Sequence, residues 1–320
     1  MGGKRLKKIL DVINLQKYYP LKSGDKVCAV NGINISICKG ETLGLVGESG
    51  CGKTTTGKCL VKLIEPSIGQ IIFEGKDINL LKNEEFRKTR KDIQIVFQDP
   101  YDSLNPRKRA KEIIEDPLIA LTKTGKRERL DKVKEALEMV ELNENRLYKY
   151  PIQLTQGEQQ RIGVARALIT NPKLVILDEP TSLLDIRFRA EIIILLKKLQ
   201  QKLDMAYLFI THDLPVIYQL CHRVAIMYLG RIVEEGPTKE VFNSPQHPYT
   251  KALLGSVLLP DIDQKFDSFP LKGEVPSPIN LPSDRCNLTP RCPIASEMCK
   301  KSLPHLVEIS KDHYCACFRV

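Results

Sequence analysis

Apolar and polar positions change rhythm several times along this chain. INISI (33–37) alternates like a half-buried strand, and TLGLV (42–46) is a short apolar run that breaks into glycines before a helical start. QIIF (70–73) and IQIVF (93–97) restore a strand pattern. Leu130, Val133, Leu137 and Val140 then share one face at helical spacing. LVILD (174–178) and YLFIT (207–211) read as buried parallel strands on either side of an amphipathic helix over about 187–202. VAIMY and RIVEE, joined through Leu229-Gly230, predict a hairpin. Strands alternating with helices predict an α/β sheet. From about 255 the texture turns Pro-rich and irregular, so residues 1–254 are expected to form the main domain and 255–320 a small C-terminal extension.

Composition narrows this picture only modestly. The 320 residues are 42% hydrophobic, enough for a sizeable core, and the net charge is +10. Mixed charge signs along most of the chain argue against nucleic acid as a partner. No run approaches the ~18 apolar residues of a membrane span. MGGKRLKKIL is basic but leads into no signal-like apolar core, and Leu6 stands where a myristoylation motif wants Ser or Thr. The expectation is a cytosolic chain with peripheral membrane contact only.

The chemistry concentrates in two strings. GESGCGKTT (47–55) fits G-x-x-x-x-G-K-[ST] between a strand and a helix. Gly47, Gly50 and Gly52 let backbone N–H groups turn toward phosphate oxygens, with Glu48, Ser49 and Cys51 completing the loop. Lys53 is expected to reach the β- and γ-phosphates, Thr54 to ligate Mg²⁺ and Thr55 to hold the α-phosphate. LVILDEP (174–180) places Asp178 and Glu179 at a buried strand's tip. Asp178 is expected to hold Mg²⁺ through its water shell, and Glu179 to orient and deprotonate the attacking water.

The order of these motifs resembles the ATP-binding subunits of ABC transporters over nearly the whole chain. The resemblance implies a P-loop ATPase core with a helical subdomain at about 100–170, with ATP and Mg²⁺ as cofactors. It makes Gln98 the Q-loop glutamine, Asp185 the D-loop aspartate and His212 the switch histidine. Leu183 stands where the family has a small residue. Tyr19 is implied to stack on adenine, with Tyr18 the near rival. LTQGEQQR (154–161) occupies the place of the signature LSGGQ, by which one subunit grips the ATP of its neighbour. Thr155 and Gly157 keep the pattern. Gln156 replaces glycine, and Glu158 brings a carboxylate near the γ-phosphate, where like charges repel. Two unequal ATP sites are therefore expected; the alternative is a loop that tolerates both changes.

QDPYDSLNPR (98–107), HPYTKALL (247–254) and CNLTPRCPIASEMC (286–299) further resemble the oligopeptide/dipeptide/nickel importers, the last string suiting their second, F-type ATPase. That branch implies a heterodimer with another ATPase, two membrane permeases and an extracytoplasmic binding protein. The rival classes are a soluble ABC-type ATPase acting on ribosomes or nucleic acid and a binding module with a vestigial ATPase. Ten cysteines include five between 286 and 317. Four thiolates can hold zinc or an iron–sulfur cluster. The resemblance implies a [4Fe–4S] cluster on Cys286, Cys292, Cys299 and Cys317, with Zn²⁺ or unligated thiols the alternatives. Cys315 is the other candidate for the last place.

Overall fold

In the computed structural model, residues 7–256 and 269–320 are described. The N-terminal Met-Gly-Gly and Leu6 lie outside them. Two compact units divide the chain. One comprises Met1–Ile9, Ile37–Glu41 and Leu80–Phe209; the other comprises Leu10–Ser36, Thr42–Asn79 and Ile210–Val320.

The first unit carries a parallel strand pair and a helical layer. Ile93–Val96 runs beside Leu174–Asp178, with Ile93 opposite Leu174 and Val96 opposite Leu177. Leu174, Ile176 and Leu177 are fully buried, as an apolar run covered on both faces must be. The helices Ala110–Leu121, Lys126–Met139 and Gln156–Leu168 supply the expected helical region. Val133, Leu137 and Val140 are buried there, as their spacing predicted.

The second unit is built on Thr42–Val46, buried throughout and parallel to Arg223–Tyr228. Arg223–Tyr228 turns antiparallel into Arg231–Pro237 through Leu229 (φ 43°) and Gly230 (φ 80°). Two positive φ values are what a two-residue type I′ turn demands, so the predicted hairpin forms as such. The irregular tail is less irregular than its prolines suggest. His313–Cys315 pairs with Arg231–Pro237, and Val307–Ser310 pairs with His313–Cys315. Farther back, Cys28 N–H donates to the Pro278 carbonyl and Asn280 N–H to that of Lys26. The described part of the tail, residues 269–320, thus packs within the second unit.

A buried polar knot ties the tail in place. Glu234, fully buried, accepts from the N–H groups of Gln246 and His247 and meets His313 Nε2 at 2.8 Å. Burying a carboxylate is costly unless its oxygens are bonded, and this one is bonded from both the hairpin's neighbour and the tail.

Among the described residues, no helix is long and apolar enough to cross a membrane.

Candidate functional site

The phosphate-loop segment leads from Thr42–Val46 into the helix Lys53–Leu60. Its glycines are forced by close backbone approach. A Cβ on Gly47 would lie 2.1 Å from the Met227 carbonyl oxygen, and one on Gly52 would lie 2.0 Å from that of Ala29. Gly52 and Gly50 also hold φ of 110° and 79°, where a side chain is strained. A Cβ on Gly50 would meet open space. No side chain caps the helix beginning at Lys53. The positive end of the helix dipole there favours an anion. Lys53 is buried, and its ammonium rests on the carbonyls of Gly47 (2.8 Å) and Glu48 (3.0 Å). Loop, uncapped helix and lysine fit a triphosphate. Ser49 is exposed, Thr54 and Thr55 are half-buried, and Cys51 is buried with its thiol pushed up by burial.

In the same unit, Tyr18 and Tyr19 are both half-buried. Tyr18 turns its hydroxyl to Gln16 and Asn31, while the Lys17 ammonium sits 5.1 Å from the Tyr19 ring centroid. His212 follows Ala206–Thr211 and is exposed.

The first unit holds the other motifs. Asp178 is buried at the end of its strand. Glu179 adopts a positive φ of 44°, sparse for a non-glycine and a mark of strain kept at working positions. Its carboxylate accepts from Gln98 Nε2 at 3.3 Å. Asp185 caps Ile186–Leu203, accepting from Phe188 N–H. Gln98, Tyr101, Gln156, Gln160, Pro180 and Leu183 line one cavity, so the Q-loop and the start of the signature helix share a wall.

The signature loop differs from its expected electrostatics. Thr155 is the N-cap of Gln156–Leu168: its hydroxyl accepts from Glu158 N–H, while the Glu158 carboxylate accepts from Thr155 N–H at 3.0 Å. This is a reciprocal capping box. Arg146 Nε holds the other carboxylate oxygen at 2.6 Å. Burial alone would raise the Glu158 carboxyl, but bonds from the Thr155 backbone and Arg146 outweigh it and hold the group below its ordinary value. The carboxylate is ionised but paired, which reduces the repulsion the sequence suggested. The signal was present as T-x-x-E; Arg146, 12 residues away, had none.

Cys286, Cys292, Cys299 and Cys317 line one small cavity together. Cys315 does not; it is fully buried, and its strand pairs with Arg231–Pro237. Burial pushes the thiols of Cys286, Cys292 and Cys317 up, toward the protonated form. Among the described residues, no three His, Cys, Asp or Glu side chains stand as a set that could hold a metal ion. Neither the zinc nor the iron–sulfur reading gains support from that arrangement. Mg²⁺ makes no such demand, since it ordinarily keeps water and substrate oxygens in its shell.

Sequence reasoning missed two further residues that touch the phosphate loop. Tyr249 Oη accepts from Glu48 N–H at 2.9 Å, and Arg291 meets the Glu48 carboxylate at 3.1 Å. HPYTKALL held the first and CNLTPRCPIASEMC the second, both as family strings without a role for either residue.

Residues 30–182 match the ABC transporter family, and residues 233–299 match the oligopeptide/dipeptide transporter C-terminal region. The chain is 45% identical to the oligopeptide transport ATP-binding protein AppF of Bacillus subtilis, over 97% of this chain and 96% of that one. It is 43% identical to the dipeptide transport ATP-binding protein DppF of Haemophilus influenzae, over 98% and 97%. Among solved structures, a post-hydrolysis dimer of the ATP-binding cassette MJ0796 bound to ADP and Pi superposes with a TM-score of 0.65 at 31% identity, over 72% of this chain and 98% of that one.

Proposed function

The chain belongs to the ABC transporter ATP-binding proteins of the oligopeptide/dipeptide branch, and on that premise we propose how its residues divide the work. It binds and hydrolyses ATP to power peptide import, alongside membrane permease components. The phosphate loop carries the reading. An uncapped helix N-terminus, glycines fixed by backbone approach and a buried lysine suit a triphosphate.

Lys53 exchanges the loop carbonyls for β- and γ-phosphate oxygens. Gly47, Glu48, Ser49, Gly50, Cys51, Gly52 and Thr55 shape the cradle, and Tyr19 stacks on adenine. Thr54, Asp178 and Gln98 are the groups that would face Mg²⁺, which when bound neutralises charge between the phosphates. Glu179, strained and bonded to Gln98, takes the proton of the attacking water as its oxygen bonds the γ-phosphorus. The bond to the β-phosphate oxygen then breaks, giving ADP and phosphate. His212 steadies the γ-phosphate.

The partner in this reading is a second, non-identical ATPase, and the assembly lies peripherally on the cytoplasmic face of the membrane beneath two permeases. An extracytoplasmic binding protein supplies the peptide. Exposed apolar side chains support a covered surface: Leu183 and Ile186 flank Asp185, and Ile152 precedes the signature. Thr155, Gly157 and Asp185 face the partner's ATP. That site is the weaker of the two, because Gln156 adds bulk and the capping box already occupies the signature helix's N-terminus. The soluble ribosomal or nucleic-acid reading has no support among relatives of peptide importers.

Steady-state ATPase of the chain with its partner and permeases tests the reading. Turnover lost on Glu179→Gln, with ATP still bound, is the expected result; unchanged turnover would remove Glu179 from the chemistry.

For the four cysteines that line one cavity, the reading we keep is a [4Fe–4S] staple for the tail. Iron, sulfide and zinc analysis of anaerobically purified protein decides it. Zinc, or no metal at all, would overturn it.

A further inference from the structure

Glu48 stands at a crossing in the phosphate loop. Its carbonyl accepts from Lys53 Nζ at 3.0 Å. Its N–H donates to Tyr249 Oη at 2.9 Å. Its carboxylate accepts from Arg291, with Nη1 at 3.1 Å from Oε2 and Nη2 at 3.4 Å from Oε1. One residue thus joins the catalytic lysine to two segments that follow the ATPase motifs in sequence.

Both outside partners are rigidly held. Tyr249 is fully buried, its ring 4.6 Å from that of Tyr228, and its own N–H donates to His247 Nδ1. Arg291 is nearly buried, with its guanidinium 5.9 Å from the Tyr228 ring centroid. Its backbone is fixed at both ends: its N–H donates to Leu288 carbonyl, and its carbonyl accepts from Lys272 N–H. The next residue is Cys292, in the wall of the cysteine-lined cavity.

We propose that Arg291 and Tyr249 are positioning residues for nucleotide binding. Through Glu48 they hold the phosphate loop in its open cradle, so ATP affinity depends on the folded C-terminal tail. This rests on the ATP-binding reading above. The physical reason is preorganisation. A glycine-rich loop has many conformers, and restraining it before the ligand arrives removes an ordering cost from binding. A forked guanidinium on a carboxylate, largely out of water, is a strong restraint because its bonds are charge-assisted and directional. Arg291 also neutralises Glu48, which otherwise adds a negative charge beside the triphosphate. Neither residue touches the attacking water, so the effect falls on binding and not on the chemical step.

The test measures Mg-ATP affinity by titration calorimetry on the full chain, and KM and kcat for the chain assembled with its partner. Arg291→Ala is expected to raise Kd and KM about tenfold while kcat at saturating ATP stays within about twofold. Tyr249→Phe should raise Kd about threefold. Arg291→Lys, which keeps charge without the fork, should recover part of the affinity. Thermal unfolding without nucleotide and hydrogen exchange over 269–320 show whether the tail of each variant remains folded. If Arg291→Ala disrupts folding, the Arg291→Lys and Tyr249→Phe results decide. The double variant Arg291→Ala/Glu48→Ala separates restraint from charge: full recovery would make Arg291 a charge neutraliser and overturn the positioning role. Unchanged Kd in Arg291→Ala, or a fall in kcat with Kd unchanged, would also overturn it. Wild-type protein that binds no ATP would instead sink the functional reading.

Discussion

Two glycine-bearing loops in this chain each open a helix meant to meet phosphate, and they treat the helix N-terminus in opposite ways. The helix at Lys53 has no side-chain cap. The helix at Gln156 is closed by its own Thr155–Glu158 capping box, with Arg146 on the same carboxylate. The restraint on the first loop comes from distant chain: Ala29 and Met227 carbonyls against its glycines, and Tyr249 and Arg291 on Glu48. The restraint on the second is local, within 12 residues. An anion arriving at the first loop finds donors already aimed; one arriving at the second competes with a carboxylate that is bonded in place. The difference teaches that an anion site is marked as much by the cap that is missing as by the glycines that are present.

The largest effect should come from filling the open loop. Gly52→Ala puts a methyl 2.0 Å from the Ala29 oxygen at a φ that resists it, and should weaken ATP binding by more than about a hundredfold in titration. Next, Glu179→Gln should cut transport-coupled turnover by about a hundredfold or more, leaving nucleotide binding in place. The equivalent change in the partner ATPase should cost less, because its ATP faces the self-capped loop. If the partner's change abolishes turnover and this one spares it, the inequality between the two loops is assigned backwards.

Acid should then separate the two regions. Burial pulls His247 down from 6.5 to about 4, although Glu234 beside it acts in the other direction. Its Nδ1 must stay unprotonated to accept from Tyr249 N–H. A depressed folded pKa contributes stability that is complete above about 6.5 and lost as pH falls through about 4, a few kcal/mol in all. Hydrogen exchange between pH 7 and 4 should show protection falling first around 247–255, with the helix Gln156–Leu168 affected less. His247→Gln should flatten that dependence. The smallest effect belongs to Glu158→Gln. Glutamine can still close the capping box but carries no charge, so turnover at the partner's ATP should rise about threefold. A fall would show that the paired carboxylate assists rather than hinders.

The phosphate loop, the strand bearing Asp178 and Glu179, and the hairpin at Leu229-Gly230 were all legible in the sequence. Each depends on local geometry: a run of apolar residues, a turn, a helix start. The capping box at Thr155 was legible too, but reading the loop against a family pattern drew attention to what was absent from it. The choice of Cys317 over Cys315 at the cavity was not derivable from spacing, because residues two apart share a face in extended chain, and these two part only where the strand ends at Cys315.

By itself, then, the sequence determined the nucleotide chemistry, since a phosphate cradle is made by contiguous backbone and needs only the right residues in order. Tertiary structure alone decided what steadies that cradle. Glu48 and Arg291 lie 243 positions apart, and no local rule of periodicity or capping reaches across such a separation. Their contact exists because the tail's strands and buried Glu234–His313 pair return the chain to the sheet that carries the phosphate loop.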